Sequence, residues 1–121
     1  MGLRVLIVDD ALFMRNMLKE IFTKAGFEIA DEAANGVEAV EKYRDCQPDL
    51  VTMDIVMPLK SGIEALQEIV REHPRARVVM CSALGQETLV VEAIQAGARD
   101  FIVKPFKEHQ VIEVARRVTG G

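Results

Sequence analysis

Five short β-prone runs alternate with five stretches of helical periodicity, and that rhythm restricts the chain to βαβ units with right-handed crossovers. The expected strands are Arg4–Val8, Ile29–Ala33, Leu50–Met53, Val78–Cys81 and Asp100–Val103. The first and fourth are nearly continuous apolar runs, as strands covered by helices on both faces require. The second is the weakest, because Ala30, Asp31, Glu32 and Ala33 have poor strand propensity. Helical rows follow each run. Phe13, Met17 and Ile21 form one i+4 row between Leu12 and Ala25, with Met14, Leu18 and Phe22 beside it, before a stop at Gly26. Asn35 with Glu38, and Ser61 with Glu64, have capping-box spacing for the second and third helices. The third buries Ile63, Leu66, Ile69 and Val70 and exits at Pro74. The fourth spans about Gln86 to Ala96. The fifth follows Pro105 and reaches Val118, with Val111, Val114, Ala115 and Val118 on its apolar side. Thr119-Gly120-Gly121 reads as a frayed end. The fold class is therefore α/β: a doubly wound (βα)5 domain around a central five-stranded parallel sheet.

A chain of 121 residues that is 50% hydrophobic holds one sizeable core. Its 19 acids and 15 bases give a net charge of -4 with no basic stripe, which argues against direct nucleic-acid binding. No apolar run has membrane-spanning length, so membrane insertion is not expected. Met1-Gly2-Leu3-Arg4 lacks a signal-peptide core and a myristoylation pattern. Cys46 and Cys81 have neither metal-motif spacing nor a disulfide framework, in keeping with a reducing cytoplasmic setting. Cys81 reads as a core residue and Cys46 as lying near a helix end.

Ligands of doubly wound sheets bind beyond the carboxyl ends of the strands. That rule gathers Asp9, Asp10, Asp54, Ser82 and Lys104 at one rim, each just past an expected strand end. Three carboxylates crowded there repel one another unless a cation lies between them. Oxygen ligands favour Mg²⁺, or Mn²⁺ as a substitute, over Zn²⁺. The competing reading of Asp9 and Asp10 is an Asx-type cap for the first helix. Glycines and a P-loop lysine are missing after the first strand, which excludes the usual nucleotide loops. Asp54 is either a nucleophile forming an aspartyl phosphate or a third metal ligand. It is a poor general base, since a neighbouring metal and lysine would lower its pKa. Lys104 needs anions at the end of a buried strand, or else snorkels to solvent. The Lys104–Pro105 bond has only the small cis propensity common to X–Pro bonds. Ser82 is either a donor to a phosphoryl oxygen or a turn residue. His73 and His109 read as solvent-facing.

On Val8-Asp9-Asp10, Met53-Asp54-Ile55-Val56-Met57-Pro58, Cys81-Ser82-Ala83 and Val103-Lys104-Pro105-Phe106, the chain resembles the receiver domains of two-component signalling. The likeness covers its whole length and is greatest to stand-alone chemotaxis regulators. It implies strand order 2-1-3-4-5 and a single receiver domain over residues 1–121 with no separate output domain. It implies that Asp54 accepts a phosphoryl group from a sensor histidine kinase of chemotaxis type. Asp10, Asp54 and the Val56 backbone carbonyl would hold Mg²⁺, with Asp9 acting through a coordinated water. Lys104 would contact the phosphoryl group. Ser82 would bond to another of its oxygens and, with a rotating Phe101, carry the switch. A flagellar-motor switch protein is the implied output partner, and a phosphatase is a further one. The domain would act as a cytoplasmic monomer.

Two alternatives remain at this point: a phosphorelay intermediate that passes its phosphoryl group to another histidine, and a Mg²⁺-dependent small-molecule phosphatase. The second is disfavoured by Val56, because such enzymes place an acid two residues after the nucleophile. From residues alone, Phe101 reads as core. It departs from the Tyr frequent in the family and cannot donate a hydroxyl bond. Lys60, in Leu59-Lys60-Ser61-Gly62, stands where the family often has an acid or Met, and it either screens the acidic rim or meets a kinase. Val56 and Leu84 cannot orient an attacking water, which predicts slow self-dephosphorylation. The fourth helix carries more apolar residues than one stripe needs. Val90 or Val91 is therefore expected at the surface, forming a partner face with Phe101, unless the excess only packs a broad sheet edge.

Overall fold

The computed structural model describes residues 2–120. Five strands and five helices alternate without exception: β1 Arg4–Val8, α1 Leu12–Lys24, β2 Glu28–Ala33, α2 Gly36–Cys46, β3 Leu50–Asp54, α3 Gly62–Glu72, β4 Val78–Ser82, α4 Glu87–Gln95, β5 Asp100–Val103 and α5 Glu108–Thr119. All pairings are parallel and the strand order is β2-β1-β3-β4-β5. The chain thus forms one doubly wound (βα)5 sheet in order 2-1-3-4-5. The weak second strand lies at the sheet edge, and its pairing with β1 slips once, between Val5 and Leu6.

Alternation along the strands divides the core in two. Leu6, Val8, Met53, Val78 and Met80 face α2, α3 and α4, where Val40, Leu66 and Ala93 close the layer. Val5, Ile7, Leu50, Val79, Cys81 and Ile102 face α1 and α5, against Leu18, Phe22, Val111 and Ala115. Phe22 is fully buried and packs edge-on to Phe27 at 5.1 Å. Burial of such a side chain contributes about 2–3 kcal/mol.

Local signals set the helix starts. Asn35 accepts the Glu38 backbone N–H at 2.9 Å, but the Glu38 carboxylate turns to the Ala34 N–H, so the expected reciprocal box is incomplete. At Ser61 and Glu64 both bonds form, at 3.2 Å each. Other expectations need correction. Phe13 is 69% exposed and sits outside the core, although it continues an apolar row. His73 ends α3 half-buried, its ring 4.8 Å from that of Tyr43, whereas His109 is exposed. Thr119 is the last residue of α5 rather than frayed chain, and Gly120 caps it at φ 76°. Gly121 lies outside the described residues. Among the described residues, no helix is long and apolar enough to cross a membrane.

Candidate functional site

Strand parity explains how the rim is assembled. Val5 and Ile7 point toward α1 and α5, and Asp9 follows with the same period. Leu50, Thr52 and Asp54 share that side on β3, and Lys104, two residues after Ile102, follows the end of β5. β1, β3 and β5 therefore direct two acids and a lysine to one point. Asp54 is the last residue of β3, not a residue beyond it, and Ser82 likewise ends β4. The extra strand residues keep both side chains buried, Asp54 at 8% and Ser82 at 2% exposure.

Lys104 Nζ lies 3.0 Å from Asp9 Oδ2 and 3.2 Å from Asp54 Oδ2. Oxygens of Asp9, Asp10 and Asp54 all lie within 4.8 Å of one another. Two of the three carboxylates, Asp9 and Asp54, thus share one ammonium. Burial raises the Asp54 pKa; the Lys104 charge pulls it down, but Asp9 and Asp10 oppose that pull and the outcome stays above the ordinary value. The lowering expected from a metal and lysine together is not reached by Lys104 alone, because the end of β3 is so completely covered. Burial acts to lower the Lys104 pKa. Its bond to Asp9 and the fields of both acids outweigh that, and the ammonium is held more firmly than in water.

The donor set fits a hard divalent cation. Asp9 Oδ2 is buried and faces Lys104 Nζ at 3.0 Å. Asp9 Oδ1 accepts the Ala11 N–H at 2.9 Å, so the turn bond and the metal-facing role fall on different oxygens of one carboxylate. Among the described residues, no backbone N–H bonds to the Val56 carbonyl. The cluster is poised to coordinate a metal such as Mg²⁺.

Backbone packing fixes this geometry. The Gly62 N–H donates to the Ile55 carbonyl at 2.7 Å, and a Cβ on Gly62 would lie 2.0 Å from the Asp54 carbonyl oxygen. Only glycine allows α3 to start that close to β3. Lys60 pairs with Glu68, so its charge is directed along α3 rather than into the acidic rim. Its carbonyl accepts the Gly36 N–H at 3.0 Å. Lys104–Pro105 is cis.

Ser82 belongs to the other side of the sheet. With Leu84, Val90, Val91, Ile94 and Phe101 it lines a groove of about 420 Å³ between α4 and β5. Phe101 is 41% exposed, so it is not core. Val91 and Ile94 are 57% and 43% exposed, whereas Val90 is half-buried against the α3 side. Val56 and Leu84 are 57% and 82% exposed beside the rim.

Two residues of this site gave no sequence signal. Arg15 Nη1 donates to the Asp9 carbonyl at 2.7 Å while its Nε holds Glu32 at 3.0 Å. Gln86 Oε1 accepts the Ala83 backbone N–H at 2.8 Å. Both bonds depend on chain turns that residue spacing does not reveal.

Comparison with known proteins agrees with this geometry. The family model for the response regulator receiver domain matches residues 5–116. The chemotaxis protein CheY of Thermotoga maritima is 60% identical over 98% of this chain and 99% of that protein. CheY of Bacillus subtilis is 57% identical over 97% and 98%. A chain in the crystal structure of the CheX–CheY–BeF3–Mg complex from Borrelia burgdorferi superimposes with a TM-score of 0.92. It is 46% identical, over 96% of this chain and 88% of that one.

Proposed function

The chain belongs to the response regulator receiver domain family and is a phosphorylation-based signalling switch of the kind found in chemotaxis CheY proteins; from that premise we propose that Asp54 is its phosphoacceptor. One observation carries the assignment: of the two buried carboxylates against Lys104, Asp9 has an oxygen tied to the Ala11 N–H, whereas Asp54, 3.2 Å from Lys104, accepts no backbone N–H among the described residues. Asp9, Asp10, Asp54 and the Val56 carbonyl would hold Mg²⁺, and the ion would offset charge on the phosphoryl oxygens. An Asp54 oxygen forms a P–O bond as the P–N bond of the donor's phosphohistidine breaks, and the leaving imidazole takes a proton from water. Lys104 remains protonated throughout and holds a phosphoryl oxygen, exchanging part of its contact with the acids for the new charge.

The reading extends to the groove. Ser82 is buried at the end of β4, one residue past the strand partner of Asp54, and lines the α4–β5 groove. A phosphoryl oxygen that draws the Ser82 hydroxyl inward vacates space beside Phe101, and the ring turns inward. The surface formed by Phe101, Val91 and the half-buried Val90 changes with it, and the affinity for a partner follows. We assign a chemotaxis-type histidine kinase as donor and a flagellar-motor switch protein as output. The Borrelia complex pairs a CheY with CheX, and a partner of that kind, acting as phosphatase, fits the exposed rim here. We read the domain as a cytoplasmic monomer.

Transfer from a radiolabelled chemotaxis-kinase phosphohistidine tests the assignment. Label moves to the wild-type chain in the presence of Mg²⁺ and not to D54N. Equal labelling of D54N would place the acceptor elsewhere. For the output face, phosphorylated V90E and V91E lose motor-protein binding, and full binding by both would remove the groove from the mechanism.

A further inference from the structure

The Ala83 N–H points toward the end of β3, where Asp54 stands. The Cys81 carbonyl accepts Ile55 N–H at 3.3 Å on the β3 side, and the Ser82 carbonyl accepts Lys104 N–H at 2.7 Å on the β5 side. Peptide groups alternate along a strand, so the next N–H, that of Ala83, turns back toward β3. Asp54 ends β3 there, paired with Cys81. This N–H is already engaged, by Gln86 Oε1 at 2.8 Å. Gln86 is the residue before α4, and its side chain makes no capping bond to that helix. The bond closes a short loop through Gly85, which has φ 89°. Ala83 and Leu84, inside that loop, both line the α4–β5 groove.

We propose that Gln86 is a positioning residue that holds the Ala83 N–H in the resting protein and is displaced from it by an oxygen of the phosphoryl group on Asp54. The inference rests on Asp54 being the phosphoacceptor. One donor cannot serve both acceptors well, and a charged phosphoryl oxygen is the stronger of the two. Gln86 therefore opposes phosphorylation slightly and links it mechanically to the loop that leads into α4. Because the bond is near the surface, water replaces the lost partner cheaply, and the competition is worth about a two- to fivefold change in affinity.

Beryllofluoride with Mg²⁺ is the probe, because it forms a phosphoryl-like adduct on a carboxylate without turnover. Its half-saturation is measured for wild type, Q86M and Q86E by amide NMR. Q86M keeps the length of the side chain and removes the acceptor; its half-saturation falls about two- to fivefold. Q86E keeps a stronger acceptor, and its half-saturation rises. In resting Q86M the Ala83 N–H exchanges with solvent faster than in wild type, and the adduct abolishes that difference. Unchanged or weaker beryllofluoride binding by Q86M would overturn the proposal while leaving Asp54 as acceptor. Failure of wild type itself to bind would overturn both. A purely structural role for Gln86 predicts weaker binding in Q86M, the opposite direction.

Discussion

Asp54→Asn should make the metal-free protein more stable near pH 7. In the folded chain the Asp54 carboxylate is 8% exposed and lies within 4.8 Å of oxygens of Asp9 and Asp10. At an effective dielectric of about 20, repulsion from Asp9 is roughly 3.5 kcal/mol, and exposed Asp10 adds a smaller screened amount. Attraction to Lys104 at 3.2 Å returns about 5 kcal/mol on the same scale. These charge effects nearly cancel, which leaves the desolvation of a buried ion, several kcal/mol before solvent access is allowed for. The expected gain in D54N is about 2 kcal/mol. The direction of the Asp54 pKa agrees. It is raised, mainly by burial, so the folded state holds the proton more tightly than the unfolded chain. That contribution is fully present below the unfolded pKa and is lost as pH rises through the folded one. Near pH 7 the ionised group is therefore a cost. Urea denaturation in EDTA should show the D54N midpoint about 1 M higher than wild type. The gap should narrow as pH falls through the folded-state pKa. Saturating Mg²⁺ should stabilise wild type far more than D54N, by about 2.7 kcal/mol at a hundred times its dissociation constant. An equal or lower D54N midpoint in EDTA would refute the electrostatic account of the site.

Arg15→Ala frees the Asp9 carbonyl and should weaken Mg²⁺ binding about tenfold with little effect on the fold, as metal titration followed by backbone NMR would reveal; unchanged affinity would show that β1 alone fixes Asp9. Gly62→Ala places a Cβ 2.0 Å from the Asp54 carbonyl oxygen and should cost about 3 kcal/mol or more in thermal unfolding; a neutral result would mean that α3 can retreat. Thr52→Val removes a buried hydroxyl that has no partner and should stabilise the protein by about 1 kcal/mol, whereas destabilisation would imply a satisfied hydroxyl. V56N and L84E each give an attacking water a polar guide and should speed loss of the phosphoryl group about tenfold in a decay assay; no acceleration in either would sink the idea that these exposed apolar side chains slow hydrolysis.

Strand–helix alternation and the acids at strand ends were legible because they depend on local pattern and one topological rule. The parallel sheet put Asp9, Asp54 and Lys104 on the same side with no further information. What local pattern could not supply was the degree of covering. Asp54 and Ser82 belong to their strands, and without a metal the burial of Asp54 outweighs the pull of Lys104 on its pKa. Helical periodicity placed Phe13 with Met17 and Ile21, but Phe13 lies in the first turn of α1 with its ring in solvent. His73 looked solvent-facing because its stacking partner, Tyr43, comes from a different helix. The surplus apolar residues of α4 correctly signalled an exposed face, and the structure settles which carry it: Val91 and Ile94 lie outward, while Val90 turns partly inward. Arg15 and Gln86 act through backbone groups, a role that leaves no mark in residue type or spacing.

Intact-protein mass after incubation with acetyl phosphate, with and without Mg²⁺ and beside D54N, tests the central claim most directly. The account predicts one labile phosphoryl adduct on wild type that requires both Mg²⁺ and Asp54. Wild type that stays unmodified under conditions that label another receiver domain, or a D54N adduct of equal yield, would contradict it.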